Sequence, residues 1–148
     1  DVNDGAGFND VVANINESKG RAECIGLVDT LDYLVKGGRA GKIQGVMGSL
    51  LKIKPMIIVK EGQIQQLAKE RTFARAVSRI KEVAASFAPF ESMAVLHSTT
   101  PVEAQELADS LTQLIPGDST PYITRFGPVI GTYTGPGALG IAALRAKK

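Results

Sequence analysis

Apolar residues recur along this chain at two spacings, one typical of helices and the other typical of strands. Apolar positions three and four residues apart predict a helix over 8–19, which Gly20 ends. A continuous apolar run over 22–28 has the length of a strand. Asp29 follows this run and is placed to cap a short helix over 29–36, which two glycines end. The pattern therefore predicts a helix, a strand and a second helix in the first quarter of the chain.

The segment 38–51 combines an apolar stripe with a stripe of glycines. On a helical wheel the apolar stripe consists of Ile43, Val46, Met47, Leu50 and Leu51. The opposite side of the same wheel consists of Gly41, Gly45 and Gly48. Glycine inside a helix costs about 1 kcal/mol relative to alanine. Either another backbone in close contact or a ligand against the bare side is expected to offset that cost.

A hairpin and an amphipathic helix are predicted next. Two strand-like segments, 54–60 and 63–69, flank Glu61 and Gly62, which form the predicted turn. The segment 71–87 has helical periodicity with its arginines and lysines on the outer side. Its predicted inward residues are Phe73, Val77, Ile80, Ala84 and Phe87.

The second half of the chain alternates between strands and helices. A short strand is predicted over 92–97, and Thr100 with Glu103 forms a predicted capping box for the helix that follows. Another strand is predicted over 120–126. The tail, 127–148, is expected to begin as a glycine-rich loop and to end as an apolar strand.

The predicted order is α-β-α-α-β-β-α-β-α-β-loop-β, with no internal repeat and no linker. Hairpins mixed with helices favour an α+β fold over a regularly alternating parallel one. We therefore expect one domain over 1–148, a two-layer sandwich in which helices pack on a mixed or antiparallel sheet.

Composition narrows the class of protein. With 44% hydrophobic and 22% charged residues, the 148-residue chain has ordinary globular composition. No apolar run is long enough to span a membrane. The first residues lack the layout of a signal peptide, and a lone cysteine, Cys24, fits a reducing cytoplasm. Because Cys24 lies in an apolar run, it is expected to be a buried, inert thiol.

Charge is distributed unevenly. A net charge of +2 is too small to indicate a nucleic-acid partner. The segment 33–60 contains no acidic residue. It does contain six basic ones, Lys36, Arg39, Lys42, Lys52, Lys54 and Lys60. A solvated face and a surface facing an anionic ligand or an acidic partner both fit this pattern.

Candidate chemistry is sparse. The glycine-rich segment 131–137 can direct backbone N–H groups and hydroxyls toward an anion, but it matches no nucleotide-binding motif. His97 is the single histidine and has no partners at metal-ligand spacing, so a structural role is expected and no metal site is predicted. Ser49 and Ser98 have no evident base beside them. If the protein were an enzyme, His97 and the segment 131–137 would be its candidate site for a small phosphorylated or carboxylated substrate.

Three stretches together resemble the C-terminal half of DegV family proteins, in order and in spacing. They are DTLDYLVKGGRAGKIQGVMGSLLKIKPMIIVKEGQI over 29–64, AVLHSTTPVEAQELADSL over 94–111 and FGPVIGTYTGPGALGIA over 126–142. The resemblance implies a lipid carrier rather than an enzyme. It implies one palmitate-like long-chain fatty acid whose tail lies in an apolar tunnel, no cofactor, and presentation of the acid to a separate fatty-acid kinase. It also implies that an N-terminal α/β domain lies outside this chain.

The resemblance also assigns candidate residues. The head group and the domain junction are assigned to Arg39, Gly131, Thr132, Tyr133, Thr134 and Gly135. The tail tunnel is assigned to Ile43, Val46, Met47, Leu50, Leu51 and Ile58. An acidic kinase surface would meet Lys36, Arg39, Lys42 and Lys52. The chain departs from the family at Tyr133, where a histidine is common; tyrosine donates a hydrogen bond to a carboxylate but cannot become cationic.

Overall fold

The computed structural model describes residues 3, 5–39 and 53–147. The first half contains α1 (Phe8–Lys19), β1 (Ala22–Leu27), α2 (Asp32–Lys36), β2 (Lys54–Lys60), β3 (Gln63–Glu70) and α3 (Phe73–Phe87). The second half contains β4 (Phe90–His97), α4 (Pro101–Leu111), a 3-10 turn (Thr112–Leu114), β5 (Tyr122–Arg125), α5 (Pro128–Thr134) and β6 (Leu139–Arg145). The predicted helix over 38–51 lies almost entirely outside the described residues.

The six strands form one sheet in the order β3-β2-β1-β6-β4-β5. All neighbouring strands are antiparallel except β4 and β5, so the predicted mixed sheet is confirmed. The β2–β3 hairpin turns at Glu61 and Gly62, whose φ angles of 52° and 72° are both positive. Two positive φ angles are typical of the tight turn that matches the twist of paired strands.

Helices α3 and α4 cover one face of the sheet. Ile80 of α3 and Leu107 of α4 are fully buried in one core cluster with Val95 of β4 and Ile141 of β6. The Thr72 hydroxyl accepts a hydrogen bond from the Arg75 backbone N–H at 3.2 Å and so caps α3. This layer is the main hydrophobic core, and it matches the predicted inward face of α3.

The other face is covered at one end only. Helices α2 and α5 contact each other there, over a smaller core that contains Val28, Leu34 and Ala138. Among the described residues, no helix lies over the rest of this face. We call this side of the sheet, opposite α3 and α4, the open face.

Helix α1 forms as predicted but has no buried residue. Phe8 is 81% exposed and Ile15 is 54% exposed. At its C-terminal end, Glu17 forms an ion pair with Arg21 at 2.9 Å, and Arg21 pairs with Glu91 at 2.7 Å. No helix in the described part of the chain is both long and apolar enough to cross a membrane.

Two predicted helix caps are wrong, each because another group takes the capping side chain. The Asp29 carboxylate forms an ion pair with Lys54 Nζ. Helix α2 therefore begins three residues later, where the Asp32 N–H bonds to the Thr30 hydroxyl at 3.2 Å. Helix α4 does follow Thr100, but the Thr100 hydroxyl donates to the Ala138 carbonyl at 3.5 Å and caps no helix N–H.

The tail differs from the expected loop. Residues Pro128–Thr134 form α5, which begins at a proline in its first turn and ends at Gly135 with a φ of 71°. Only 135–138 connects α5 to β6 without regular structure. Glycine at position 131 did not prevent a helix because proline at its start and packing against α2 favour one.

Candidate functional site

The floor of the open face consists of unusually small side chains. Gly26 of β1 lies opposite Gly140 of β6, and Cys24 lies opposite Ala142. Ala142 in turn lies opposite Ala94 of β4. Since alternate residues of a strand share a face, these positions form a shallow floor that runs along the two central strands.

Larger apolar side chains flank this floor. Ile57 and Val59 of β2 and Ile64 of β3 line one side, and Leu96 lines the other. Phe126 and Ile130, at the α5 end, complete a cavity of about 390 Å³. The lining is almost entirely apolar, so the first cavity suits a hydrocarbon group.

A second cavity of about 750 Å³ continues along the same face. Cys24, Val59 and Ala142 line both cavities. The rim of the second cavity includes Lys19 at the end of α1 and Tyr122 of β5. The two cavities together are called the trough.

Arg39 is the single charged side chain that lines the first cavity among the described residues. Its guanidinium lies over the Tyr133 ring, 4.5 Å from the ring centroid. Arg39 Nη1 also donates to the Gly37 carbonyl at 3.1 Å, and the Arg39 N–H donates to the Leu34 carbonyl at 2.8 Å. A cation–π contact and two hydrogen bonds thus hold the cation at one end of an apolar cavity.

Two tyrosine–glycine contacts join α2 to α5. A Cβ on Gly37 would lie 2.3 Å from Tyr133 Cδ1, and a Cβ on Gly135 would lie 2.2 Å from Tyr33 Cδ2. Each ring therefore occupies the space that any side chain on the facing glycine would need. The consequence is that the ring of Tyr133 is fixed between α2 and the cavity.

The predicted head-group residues separate into two sets. Arg39, Tyr133 and Thr134 line the first cavity. Gly131, Thr132 and Gly135 instead line a shallow surface pocket on the outer side of α5. The two threonine hydroxyls donate within the helix, Thr132 to the Pro128 carbonyl at 2.8 Å and Thr134 to the Ile130 carbonyl at 3.1 Å. Their oxygens remain available only as acceptors in this arrangement.

The predicted tail-tunnel and kinase-surface residues are mostly outside the described part of the chain. Those outside it are Ile43, Val46, Met47, Leu50, Leu51, Lys42 and Lys52. Ile58 is described, and it is buried in the main core opposite Ile25, under α3. Its neighbours Ile57 and Val59 face the trough, because side chains alternate along a strand. Lys36 lies at the exposed end of α2.

His97 lies on the opposite side of the sheet from the trough. It is 7% exposed and follows Val95 on the core side of β4, where its register partner is the buried Leu139. It lines neither cavity of the trough, and its Nδ1 is buried without a hydrogen-bond partner in the described structure. No group of three metal-ligating side chains is found in the described ranges. His97 and the segment 131–137 therefore do not form one site.

Cys24 is not the buried core thiol that its apolar run predicts. It is exposed on the trough floor, where Val59 of β2 and Ala142 of β6 are its register partners. The surrounding apolar strands still desolvate the sulfur, and this partial burial raises the pKa of the Cys24 thiol. The thiol is therefore neutral near pH 7 and behaves as a small apolar side chain.

The trough floor was missed by the sequence reasoning, although a signal for it exists. Small residues alternate with larger apolar ones in both central strands, at Cys24 and Gly26 in β1 and at Gly140 and Ala142 in β6. Each strand alone reads as an apolar run. The floor emerges only when the register places the two small-residue series side by side.

Comparison with known proteins finds relatives of this chain. The profile of a family described as "Uncharacterised protein, DegV family" matches residues 2–146. A DegV domain-containing protein of Streptomyces coelicolor is 44% identical over 117 residues, covering 77% of this chain and 41% of that protein. The chain spans about half the length of the curated relatives that it matches.

Two solved structures are similar over nearly the whole chain. DegV of Bacillus subtilis, described as a fatty acid binding protein, has a TM-score of 0.78 at 32% identity, covering 97% of this chain and 52% of that one. A family member from Thermus thermophilus, described by its fatty acid binding, has a TM-score of 0.85 at 26% identity, covering 98% of this chain and 53% of that one.

Proposed function

Because the chain belongs to the DegV family, we propose that its protein binds a long-chain fatty acid, with the tail in the trough and the carboxylate beside Arg39. The observation that carries this proposal is an apolar cavity in which Arg39, at one end, is the single charged lining residue among those described. An amphiphile with one anionic end and a long hydrocarbon chain matches that distribution of charge. The fatty acid binding described for the similar structures supports the same class of ligand.

The tail supplies most of the binding free energy in this proposal. A sixteen-carbon acid buries about 14 methylenes at roughly 0.8 kcal/mol each, a gross gain of about 11 kcal/mol before ordering costs. A charge-assisted hydrogen bond to the carboxylate contributes about 1.5–3 kcal/mol. The head-group contacts therefore orient the acid more than they retain it.

Arg39 and Tyr133 have different roles at the head group. The guanidinium provides charge and paired N–H donors that fit a carboxylate. The Tyr133 hydroxyl provides a neutral donor, and its ring holds the guanidinium in place. With tyrosine where histidine is common, Arg39 is the one cation among the described residues that line this cavity.

The proposed role is that of a carrier which presents the acid to a fatty-acid kinase in the cytoplasm. Arg39 and Lys36 lie close in sequence at the end of α2, and Lys42 and Lys52 extend the same acid-free stretch. We propose this stretch as the surface for an acidic kinase. We also propose that this chain is the C-terminal half of its protein and that an N-terminal α/β domain completes the head-group contacts.

An enzyme acting through His97 and the segment 131–137 is the weaker alternative. His97 faces the main core, and Thr132 faces outward from α5. A catalytic pair would have to meet at one reacting atom. No observation in the described structure favours that arrangement.

Native mass spectrometry of the full-length protein that carries this chain tests the proposal. We expect an added mass equal to a C14–C18 acid, which lipid extraction identifies. In the same protein, Arg39→Ala should reduce acyl-phosphate formation by the cognate kinase while the melting temperature stays unchanged. A protein that carries no lipid and binds none added to it would contradict the function, and unchanged turnover by Arg39→Ala would remove Arg39 from the site.

A further inference from the structure

The two cavities of the trough meet at a narrow shared floor. Cys24, Val59 and Ala142 line both of them, and Cys24 and Ala142 are register partners on the two central strands. Among the described residues, these three are common to both linings, and the side chains of Cys24 and Ala142 are small. The open face therefore provides one continuous apolar path rather than two isolated sites.

The floor of the first cavity is shorter than a long acyl chain. It runs from Val28, the residue after β1, to Cys24, which is four residue steps or about 13 Å at the rise of a β-strand. Two acyl chains end to end span the hydrocarbon core of a bilayer, which is about 30 Å thick. One packed acyl chain is therefore about 15 Å long. A tail that begins at the Val28 end of this floor therefore extends past Cys24.

The second cavity continues the path, with a lining that adds Lys19, Glu23, Glu61 and Ser92 to apolar side chains. It follows β1 to Ala22, two residue steps or about 7 Å further. Ala94 and Leu144 face this part of the path from the two neighbouring strands. Charged groups lie at its rim, at Lys19 and Glu61, so the apolar surface ends there.

From these dimensions we propose that the second cavity is a distal tail site and that the side chain at position 24 determines the chain length that the protein accepts. This inference rests on the proposed function. Acids that end before Cys24 use the first cavity alone. Longer acids place their terminal carbons over Cys24 and Ala142 and in the second cavity.

Substitution at Cys24 tests the proposal in the full-length protein. Laurate and palmitate are the probes, with equilibrium binding measured for each. In the wild type, four additional methylenes favour palmitate by as much as roughly 200-fold, a factor of about four per methylene. Cys24→Phe fills the floor, so the preference for palmitate should fall to less than about tenfold while laurate binding changes little.

Two further variants serve as controls. Cys24→Ala keeps the floor small and should retain the wild-type preference. Gln65→Phe adds the same ring at an exposed position of β3, outside the residues that line the trough, and should also retain it. If Cys24→Phe keeps the full preference for palmitate, or weakens both acids equally with an unchanged melting temperature, the distal site is wrong. If the wild type binds neither acid, it is the proposed function that fails.

Alkylation of Cys24 gives a second measurement that does not depend on a folded variant. N-ethylmaleimide labelling at pH 8.5 is followed by mass spectrometry of the peptide that contains Cys24. Palmitate should slow labelling at least tenfold relative to the lipid-free protein, and laurate should slow it much less. Equal labelling with and without bound palmitate would overturn the path over Cys24.

Discussion

The Arg39 guanidinium stacks on the Tyr133 ring, 4.5 Å from its centroid, and this contact places a cation at the end of an apolar cavity. One edge of the same ring, at Cδ1 and Cε1, lies against Gly37, two residues before Arg39. Tyr133 therefore positions Arg39 through both its side chain and the backbone that carries it. In the proposed function, this contact supplies the cation for the carboxylate of the ligand.

Variants of Tyr133 should separate the ring from the hydroxyl. Tyr133→Phe keeps the cation–π contact and should change palmitate affinity by only a few-fold, the value of one neutral hydrogen bond. Tyr133→Ala removes the contact, and roughly a tenfold loss is expected if it contributes 1–1.5 kcal/mol. Palmitate affinity measured at pH 7 for both variants shows whether the ring or the hydroxyl of Tyr133 contributes more. Equal losses would show that the hydroxyl, not the ring, is responsible.

Tyr133→His should make the affinity for palmitate depend on pH in a way that tyrosine at this position does not. Imidazole becomes cationic below about pH 6.5, so affinity for a carboxylate should rise as the pH falls from 8 to 6. Palmitate binding is measured for both proteins at each pH, and the ratio of the Tyr133→His affinity to the wild-type affinity should rise as the pH falls. A flat ratio would place position 133 away from the carboxylate.

The glycines that face the two tyrosine rings should be intolerant of a side chain. Gly37→Ala and Gly135→Ala each force a ring out of its position, and Gly135 also has a φ of 71°. A loss of about 1–3 kcal/mol in the free energy of unfolding is expected for each. Gly131→Ala is the matched control, because no atom lies within 4 Å of a Cβ there and alanine favours the α5 helix. Urea denaturation should show that Gly37→Ala and Gly135→Ala are less stable than Gly131→Ala.

The two glycines of the trough floor should differ in tolerance. A Cβ on Gly140 would lie 2.6 Å from the Ile25 carbonyl oxygen, which is backbone of the adjacent strand. A Cβ on Gly26 would lie 3.2 Å from the side chain of Ile57, which has room to rotate. Gly140→Ala should therefore lower the melting temperature clearly more than Gly26→Ala. The reverse order in a thermal unfolding experiment would contradict the β1–β6 register.

The Cys24 thiol should react slowly at neutral pH. Desolvation raises its pKa in the folded protein, so the unfolded chain loses its thiol proton first as the pH rises. At pH values above the pKa of a free thiol, the free energy of unfolding should therefore decrease by a small amount. At lower pH values this group should not affect it. Iodoacetamide should modify Cys24 more slowly at pH 7 than it modifies free cysteine, with a later rise in rate. A rate equal to that of free cysteine would show a solvated thiol.

Much of the secondary structure followed from local patterns. The 3.6-residue period of α3 and the Glu61–Gly62 turn between two apolar runs are signals that a few neighbouring residues determine. The capping predictions failed because Asp29 and Thr100 have partners distant in sequence, Lys54 and Ala138. A side chain with one hydrogen-bonding group makes the contact that the tertiary structure favours, and no local pattern encodes that choice.

The candidate site also combines features that the sequence indicated with features that depend on long-range contacts. Family resemblance indicated Arg39 and Tyr133, and the structure brings both to one cavity. Ile58, assigned to the tail tunnel, is buried in the main core and lies outside the proposed trough. A strand buried on both sides shows no alternation in its sequence, so its sequence does not tell the two faces apart. The register with Gly26 and Cys24 is what directs Ile57 and Val59 to the trough.

By itself, the sequence determined the elements, the mixed α+β class and the family, because periodicity, turn chemistry and motif order are properties of neighbouring residues. Only the tertiary structure decided that, among the described residues, α2 and α5 cover one end of a sheet face, and that small residues on β1 and β6 coincide to form a floor there. It also decided that an arginine and a tyrosine 94 positions apart meet at the end of that floor. These are long-range pairings, and strand register and helix packing fix them only when the whole core forms.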